Sequence, residues 1–263
     1  MRLSFLKIWF AWLACAALAA QPVPSEQEIS RTLERGRAVT LEYVRSLPDF
    51  ICTQLVRRYI ELTRPKCWRL LDTLTIQLSY FERKEDRKLV LINGEPAGQQ
   101  EECVGGLVNI GEFGGMLETI FDPASKAQFR WESSKTLQDH PVAFFSYEVD
   151  RAHSWYMLQH GEGGGMHGIV VAYHGLVAID RETGQVLRLI YQASGIPKDF
   201  PIQVSSVTVD YAFAEAGAKQ YLLPAKSETA TGSAALRARN EVEFRDYHKF
   251  TADSSITFGG EKD

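Results

Sequence analysis

The sequence predicts a mainly β protein with some helix (α+β). The expected form is a curved antiparallel meander of about eleven strands, either closed into a barrel or forming an open half-barrel, covered by an N-terminal amphipathic helix and one short helix. Three observations predict it. Residues 169–193 alternate β-branched, aliphatic and aromatic side chains on both sides of Asp180-Arg181-Glu182-Thr183-Gly184, the pattern of a hairpin around a tight turn. Period-two runs of the same kind recur from Phe50 to the 240s with turn residues between them. Helical spacing occurs in only two stretches, 26–46 and 111–121.

Taken in order, residues 1–20 read as a secretory signal. Arg2 and Lys7 form the basic start, 8–18 is apolar, and Ala17-Leu18-Ala19-Ala20 supplies small residues for cleavage. The apolar run is shorter than the roughly 20 residues a membrane span needs. Lipidation at Cys15 is a weaker reading, because Trp12 stands where a smaller aliphatic residue is expected. Export follows, to a periplasmic or extracellular location. Residues 21–258 are expected to form a single β-rich half-barrel-like domain, and 259–263 a disordered tail.

The formal charge is −4 and becomes more negative when Arg2 and Lys7 leave, which argues against a nucleic-acid partner. Three cysteines then remain: Cys52, Cys67 and Cys103. A hairpin centred near Lys84–Glu85 sets Cys67 opposite Cys103, so these two are the expected disulfide. Cys52 reads as a small buried apolar residue.

Ser25 and Glu28 match a capping box, so a helix should run to about Ser46, with Ile29, Leu33, Val44 and Leu47 on its apolar face and Pro48 ending it. Residues 50–62 read as a strand. In the next, Trp68, Leu70, Leu74, Ile76, Leu78 and Tyr80 are expected to share a face. Residues 87–92 return, closed by Asn93-Gly94. Residues 95–109 read as loop, and 111–121 as a short helix before Asp122-Pro123. Strands resume at 128–132, 142–150, 154–159 and 168–174. After the central hairpin come 204–213, 219–223, 225–231 and 235–246.

This order resembles the periplasmic lipoprotein-carrier superfamily of the LolA, LolB and RseB type. More locally, Leu47-Pro48-Asp49-Phe50-Ile51-Cys52-Thr53-Gln54, Gly111-Glu112-Phe113-Gly114, Phe129-Arg130-Trp131, Tyr173-His174-Gly175-Leu176-Val177, Asp180-Arg181-Glu182-Thr183 and Asn240-Glu241-Val242-Glu243-Phe244 resemble a set of uncharacterised secreted bacterial proteins. The carrier resemblance implies an unclosed barrel with an apolar inner face, partly plugged by helices, that holds acyl chains. It carries over no catalytic or ligand-binding residue.

Trp68, Leu70, Phe129, Trp131, Phe144 and Trp155 are the candidate walls of a hydrophobic ligand cavity, with ordinary core as the competing account. The leading reading is a non-enzymatic exported binding protein for a lipid or lipidated protein, without a cofactor. A second is a structural or signalling module with a filled core that binds another envelope protein. A third is a metal-dependent enzyme at a hairpin that sets His160 opposite His167 with Glu162 nearby. There is no Gly-x-Ser-x-Gly elbow, and Gly163-Gly164-Gly165 lacks the Gly-Lys-Ser/Thr of a phosphate loop. The oligomeric state is not legible.

Overall fold

The structure is a computed structural model that describes residues 24–62, 67–98, 112–162, 165–217, 219–233 and 236–249. The expected signal and the C-terminal tail lie outside the described residues.

Helix α1 (Glu26–Ser46) begins as the capping box requires: Ser25 Oγ accepts from the Glu28 amide, and the Glu28 carboxylate accepts from the Ser25 amide at 2.9 Å. Such a cap is worth about 1 kcal/mol. Then come β1 (Phe50–Leu62), β2 (Cys67–Phe81), β3 (Lys84–Ile92) and the two-residue β4 (Glu95–Pro96). Helix α2 (Gly115–Phe121) precedes β5 (Gln128–Leu137) and β6 (His140–Val149). Strands β7 (Met157–Glu162) and β8 (Gly165–Val170) form a separate two-stranded arm. Finally come β9 (Ala172–Asp180), β10 (Val186–Ser194), β11 (Val204–Ala216), β12 (Lys219–Gly232) and β13 (Leu236–Lys249).

Eleven strands make one antiparallel sheet, in the order β4-β3-β2-β1-β13-β12-β11-β10-β9-β6-β5. The chain starts in mid-sheet, runs out to β4, crosses to the far edge at β5 and meanders back until β13 pairs with β1. Among the described residues the edge strands β4 and β5 do not pair with each other, so the sheet stays open.

Two clusters fill the core face. One gathers Leu117, Ile120 and Phe121 of α2 with Phe145, Tyr147, Tyr173, Val177, Ile179, Leu189 and Tyr211, and α1 lays Ile29 and Leu33 against it. The other is built on β1, β2 and β13 around Phe113. Cys52 is fully buried within it, as expected.

Three expectations are corrected. The β2–β3 register pairs Tyr80 with Glu85 and Phe81 with Lys84, so the turn is Glu82-Arg83, earlier than Lys84–Glu85. Both turn residues have positive φ, as a twist-matched two-residue hairpin requires. The alignment that set Cys67 against Cys103 shifts with it. Cys67 is exposed at the start of β2, and Cys103 lies outside the described residues. Second, β2 does not keep one face. Arg58 pairs with Asp72 but Tyr59 pairs with Leu70, so Leu71 is an extra, bulged residue. One inserted residue moves everything beyond it to the opposite face. Leu74, Ile76, Leu78 and Tyr80 face the core, and Leu70 and Trp68 face outward opposite Tyr59 and Glu61. Third, 219–223 and 225–231 are one strand, β12, with a register shift near Pro224.

Candidate functional site

The core face is apolar at one end and polar in the middle. Phe113 stands at the apolar centre, with ring centroids 5.0 Å from Phe50, 5.8 Å from Tyr80 and 5.5 Å from Phe244. It is held there by its neighbours. Gly114 has φ +105, and a side chain on it would strike Val44, so the bare backbone lets α2 start tight against α1. Glu112 is 2 % exposed: its Oε1 accepts from Ser227 Oγ at 2.9 Å, its Oε2 pairs with Arg87 at 3.2 Å, and its carbonyl accepts from Tyr211 Oη at 3.0 Å. Glu112-Phe113-Gly114 is therefore a plug anchored in the face.

Beyond it runs a lane of buried polar groups. Gln54, Arg58, Asn240, Ser227 and Thr229 face the core from β1, β13 and β12. Arg58 donates through Nε to Asp72 Oδ1 at 2.6 Å and pairs through its second nitrogen with Oδ2. Thr229 Oγ1 is buried without a partner among the described residues.

The six candidate wall residues are not brought together. Phe129 and Trp131 lie on the core side of β5, Phe129 stacked on Phe121 at 5.3 Å and opposite Tyr147. Phe144 is on the other side of β6, under Lys135 Nζ at 5.9 Å. Trp68 and Leu70, 37 % and 57 % exposed, lie outside with Tyr59, and Arg239 lies over both the Tyr59 and Trp68 rings. Trp155 is 81 % exposed at the base of the arm.

A cleft that sequence reasoning missed lies elsewhere. The β12–β13 pairing runs from Gly232 with Arg237 to Lys226 with Glu243 and stops there. Past that point Pro224 has no amide to donate, β12 carries its register shift against β11, and β13 bulges near Asp246, which has φ +54. The two strands splay. The gap is a cleft of about 400 Å³. Its floor is Leu223, Phe244 and Tyr247, all buried; Tyr247 Oη spans it to donate to the Pro224 carbonyl at 2.6 Å. Burial and the nearby Cys52 hold the Tyr247 phenol well above its usual range. Phe213, 48 % exposed, stands at the mouth with Glu215 and Arg245. An apolar floor with a few rim charges suits an apolar ligand with a polar end. The one local signal for it in the sequence is Pro224 inside a strand pattern.

On the arm, His160 pairs across from His167 as expected, with ring centroids 5.7 Å apart. The Glu162 side chain lies outside the described residues. Among the described residues no group of three or more His, Cys, Asp or Glu is placed to hold a metal ion. Asp180 is a turn residue: Oδ1 accepts from the Glu182 and Thr183 amides, and Oδ2 lies 2.8 Å from His140 Nδ1.

No family model matches the chain, and no curated protein matches it. Among solved structures it is similar to an outer membrane lipoprotein-sorting protein domain from Vibrio parahaemolyticus, at 11 % identity and a TM-score of 0.40 over 86 % of this chain and 94 % of that one. It is also similar to a DUF1329 family protein from Desulfovibrio piger, at 7 % identity and a TM-score of 0.38 over 86 % of this chain and 95 % of that one. Overlaps this low carry no functional argument.

Proposed function

We propose that the chain is an exported, non-enzymatic binding protein that takes an apolar chain, from a lipid or a lipidated protein, in the half-barrel cleft between β12 and β13. The observation that carries this reading is the splay itself: the strands part over a floor of Leu223, Phe244 and Tyr247 and leave about 400 Å³ open. An occupant burying about 200 Å² of apolar surface there gains roughly 5 kcal/mol. Among the described residues no helix is long and apolar enough to cross a membrane. The test is displacement of a fluorescent fatty acid, with native mass spectrometry of the gently purified protein. Saturable binding that weakens in Phe213→Asp and disappears when Ala225→Trp fills the cleft supports the reading. Binding that ignores both substitutions, or none at all, removes it.

The arm favours a second reading, a contact with another envelope protein. Trp155, Met157 and Met166 are 81 %, 52 % and 67 % exposed there, outside the main sheet. Exposed Met and Trp side chains suit adaptable protein contacts. Loss of a crosslinked partner in Trp155→Ala, with fatty-acid binding intact, distinguishes it.

A further inference from the structure

We infer that the groove between α1 and the β9–β10 turn is a binding site for a phosphate group, independent of the β12–β13 cleft. Three arginines line it. Arg31 and Arg35 are four residues apart on one face of α1, and Arg181 comes from the turn. The groove they line is about 500 Å³, ample for a phosphate and the group that bears it. None of the three is paired within 4 Å of a described carboxylate. The Ser25 hydrogen bonds hold the Glu28 carboxyl below the usual range, and Arg181 and Arg31 add to this only at longer range.

The three side chains are exposed, but the backbone that presents them is fixed. Arg35 lays its aliphatic stem over Gly184, where a side-chain carbon would fall 2.9 Å from Arg35 Cγ. The turn that carries Arg181 is fixed from three directions. The Arg181 amide donates to the Pro141 carbonyl at 2.9 Å, the Gly184 amide to the Asp180 carbonyl at 2.8 Å, and Asp180 Oδ1 accepts the Glu182 and Thr183 amides. The elements bearing the cations are thus ordered before any ligand arrives, which lowers the cost of binding.

Two acids share the groove, Glu28 and Glu182. Glu28 is engaged by the Ser25 amide and hydroxyl in the helix cap, at 2.9 and 3.0 Å. Glu182 is exposed on the turn and opposes an anion. The lining keeps a positive balance on a chain whose net charge is −4. Arginine forks match phosphate oxygens in pairs, and three of them on two elements hold one group from two sides.

The test uses the purified chain and two probes: glycerol 3-phosphate followed by calorimetry, and phosphatidylcholine vesicles with and without phosphatidic acid followed by flotation. The expected result is saturable binding of at least one probe, weakened about tenfold or more by Arg31→Gln, Arg35→Gln or Arg181→Gln. Glu182→Gln tightens it about two- to threefold, and Arg45→Gln, at the far end of α1, leaves it unchanged. Response to the soluble ester alone assigns a free phosphate compound; response to phosphatidic acid vesicles alone assigns a lipid headgroup. Thermal melts confirm that each variant is folded. No saturable response to either probe, or equal losses in Arg45→Gln and Arg31→Gln, overturns the site.

Discussion

Replacing Gly175 with alanine tests how the centre of the sheet is built. Gly175 sits on β9 between Tyr147 of β6 and Tyr191 of β10. The Tyr147 ring lies across β9 at this point, and its hydroxyl donates to the Ile190 carbonyl on β10 at 2.8 Å. An alanine Cβ would stand 2.8 Å from that hydroxyl oxygen and 2.7 Å from the Ile190 carbonyl carbon, with the carbonyl oxygen closer still. Overpacking costs about 1–3 kcal/mol where side chains can turn away. Here the obstacle is backbone in a paired strand, so the cost is set at about 3 kcal/mol or more, a fall in melting temperature of roughly 6–12 °C for a chain of this size. Gly168→Ala is the control. Its Cβ would meet Gln159 Cγ and Met157 Sδ at 3.2 Å, both on flexible side chains, and should cost less than about 1 kcal/mol. Tyr147→Phe alone loses one hydrogen bond, about 1 kcal/mol. In the double variant the Ile190 clash persists, so Tyr147→Phe should not rescue Gly175→Ala. The assay is urea unfolding followed by tryptophan fluorescence. A Gly175→Ala midpoint no lower than that of Gly168→Ala would refute the reasoning.

Three further outcomes are expected. Phe113→Ala removes a side chain that is 1 % exposed and packed against the Phe50, Tyr80 and Phe244 rings, and should cost about 3–5 kcal/mol, read from the same urea curves. Burial raises the Cys52 thiol well above its usual pKa, so peptide mapping after iodoacetamide at neutral pH should find exposed Cys67 labelled and Cys52 untouched until the protein is unfolded. Hydrogen bonds from Arg57 and then Arg245 lower the Glu243 carboxyl to about 2. A depressed carboxylate stabilises above its unfolded pKa and loses that contribution as pH falls through its folded one, so the melting-temperature gap between the wild type and Glu243→Gln should close between about pH 4.5 and 2.

The local features were legible because they rest on nearby residues. The capping box at Ser25 and Glu28, the bounds of β1, and the inward set Val177, Ile179, Leu187, Leu189 and Tyr191 all follow from short-range spacing. Single-residue register events were not. The bulge at Leu71 leaves the alternation intact to the eye, yet it turns Trp68 and Leu70 outward. Two of the six expected wall residues left the core face for that reason. Glu112 falls in the stretch that reads as a short helix, with nothing local to mark it as buried; its burial depends on Ser227, Arg87 and Tyr211, far apart in the chain. The cleft needs a bulge on β12 and another on β13 at the same level, and Pro224 marks only the first.

The buried Arg58–Asp72 pair decides whether the polar lane serves the fold or a ligand. The pair is on the core face, its side chains only 11 % and 14 % exposed, with Asn240 opposite Arg58 on β13. Removing one member leaves a charge without its partner, so Asp72→Ala should cost about 3–5 kcal/mol. Replacing both by apolar groups of similar volume, as in Arg58→Met with Asp72→Leu, removes that penalty, and such exchanges are often neutral or stabilising. The double variant therefore separates the two roles. If the lane is structural, the double variant melts near the wild type and binds fluorescent fatty acid in the β12–β13 cleft with unchanged affinity. If the lane reads the polar end of a ligand, the double variant still folds but loses natural ligand seen by native mass spectrometry. A double variant as unstable as Asp72→Ala would refute the premise that the charges compensate each other, and would place the requirement in the bulge geometry at Leu71 instead.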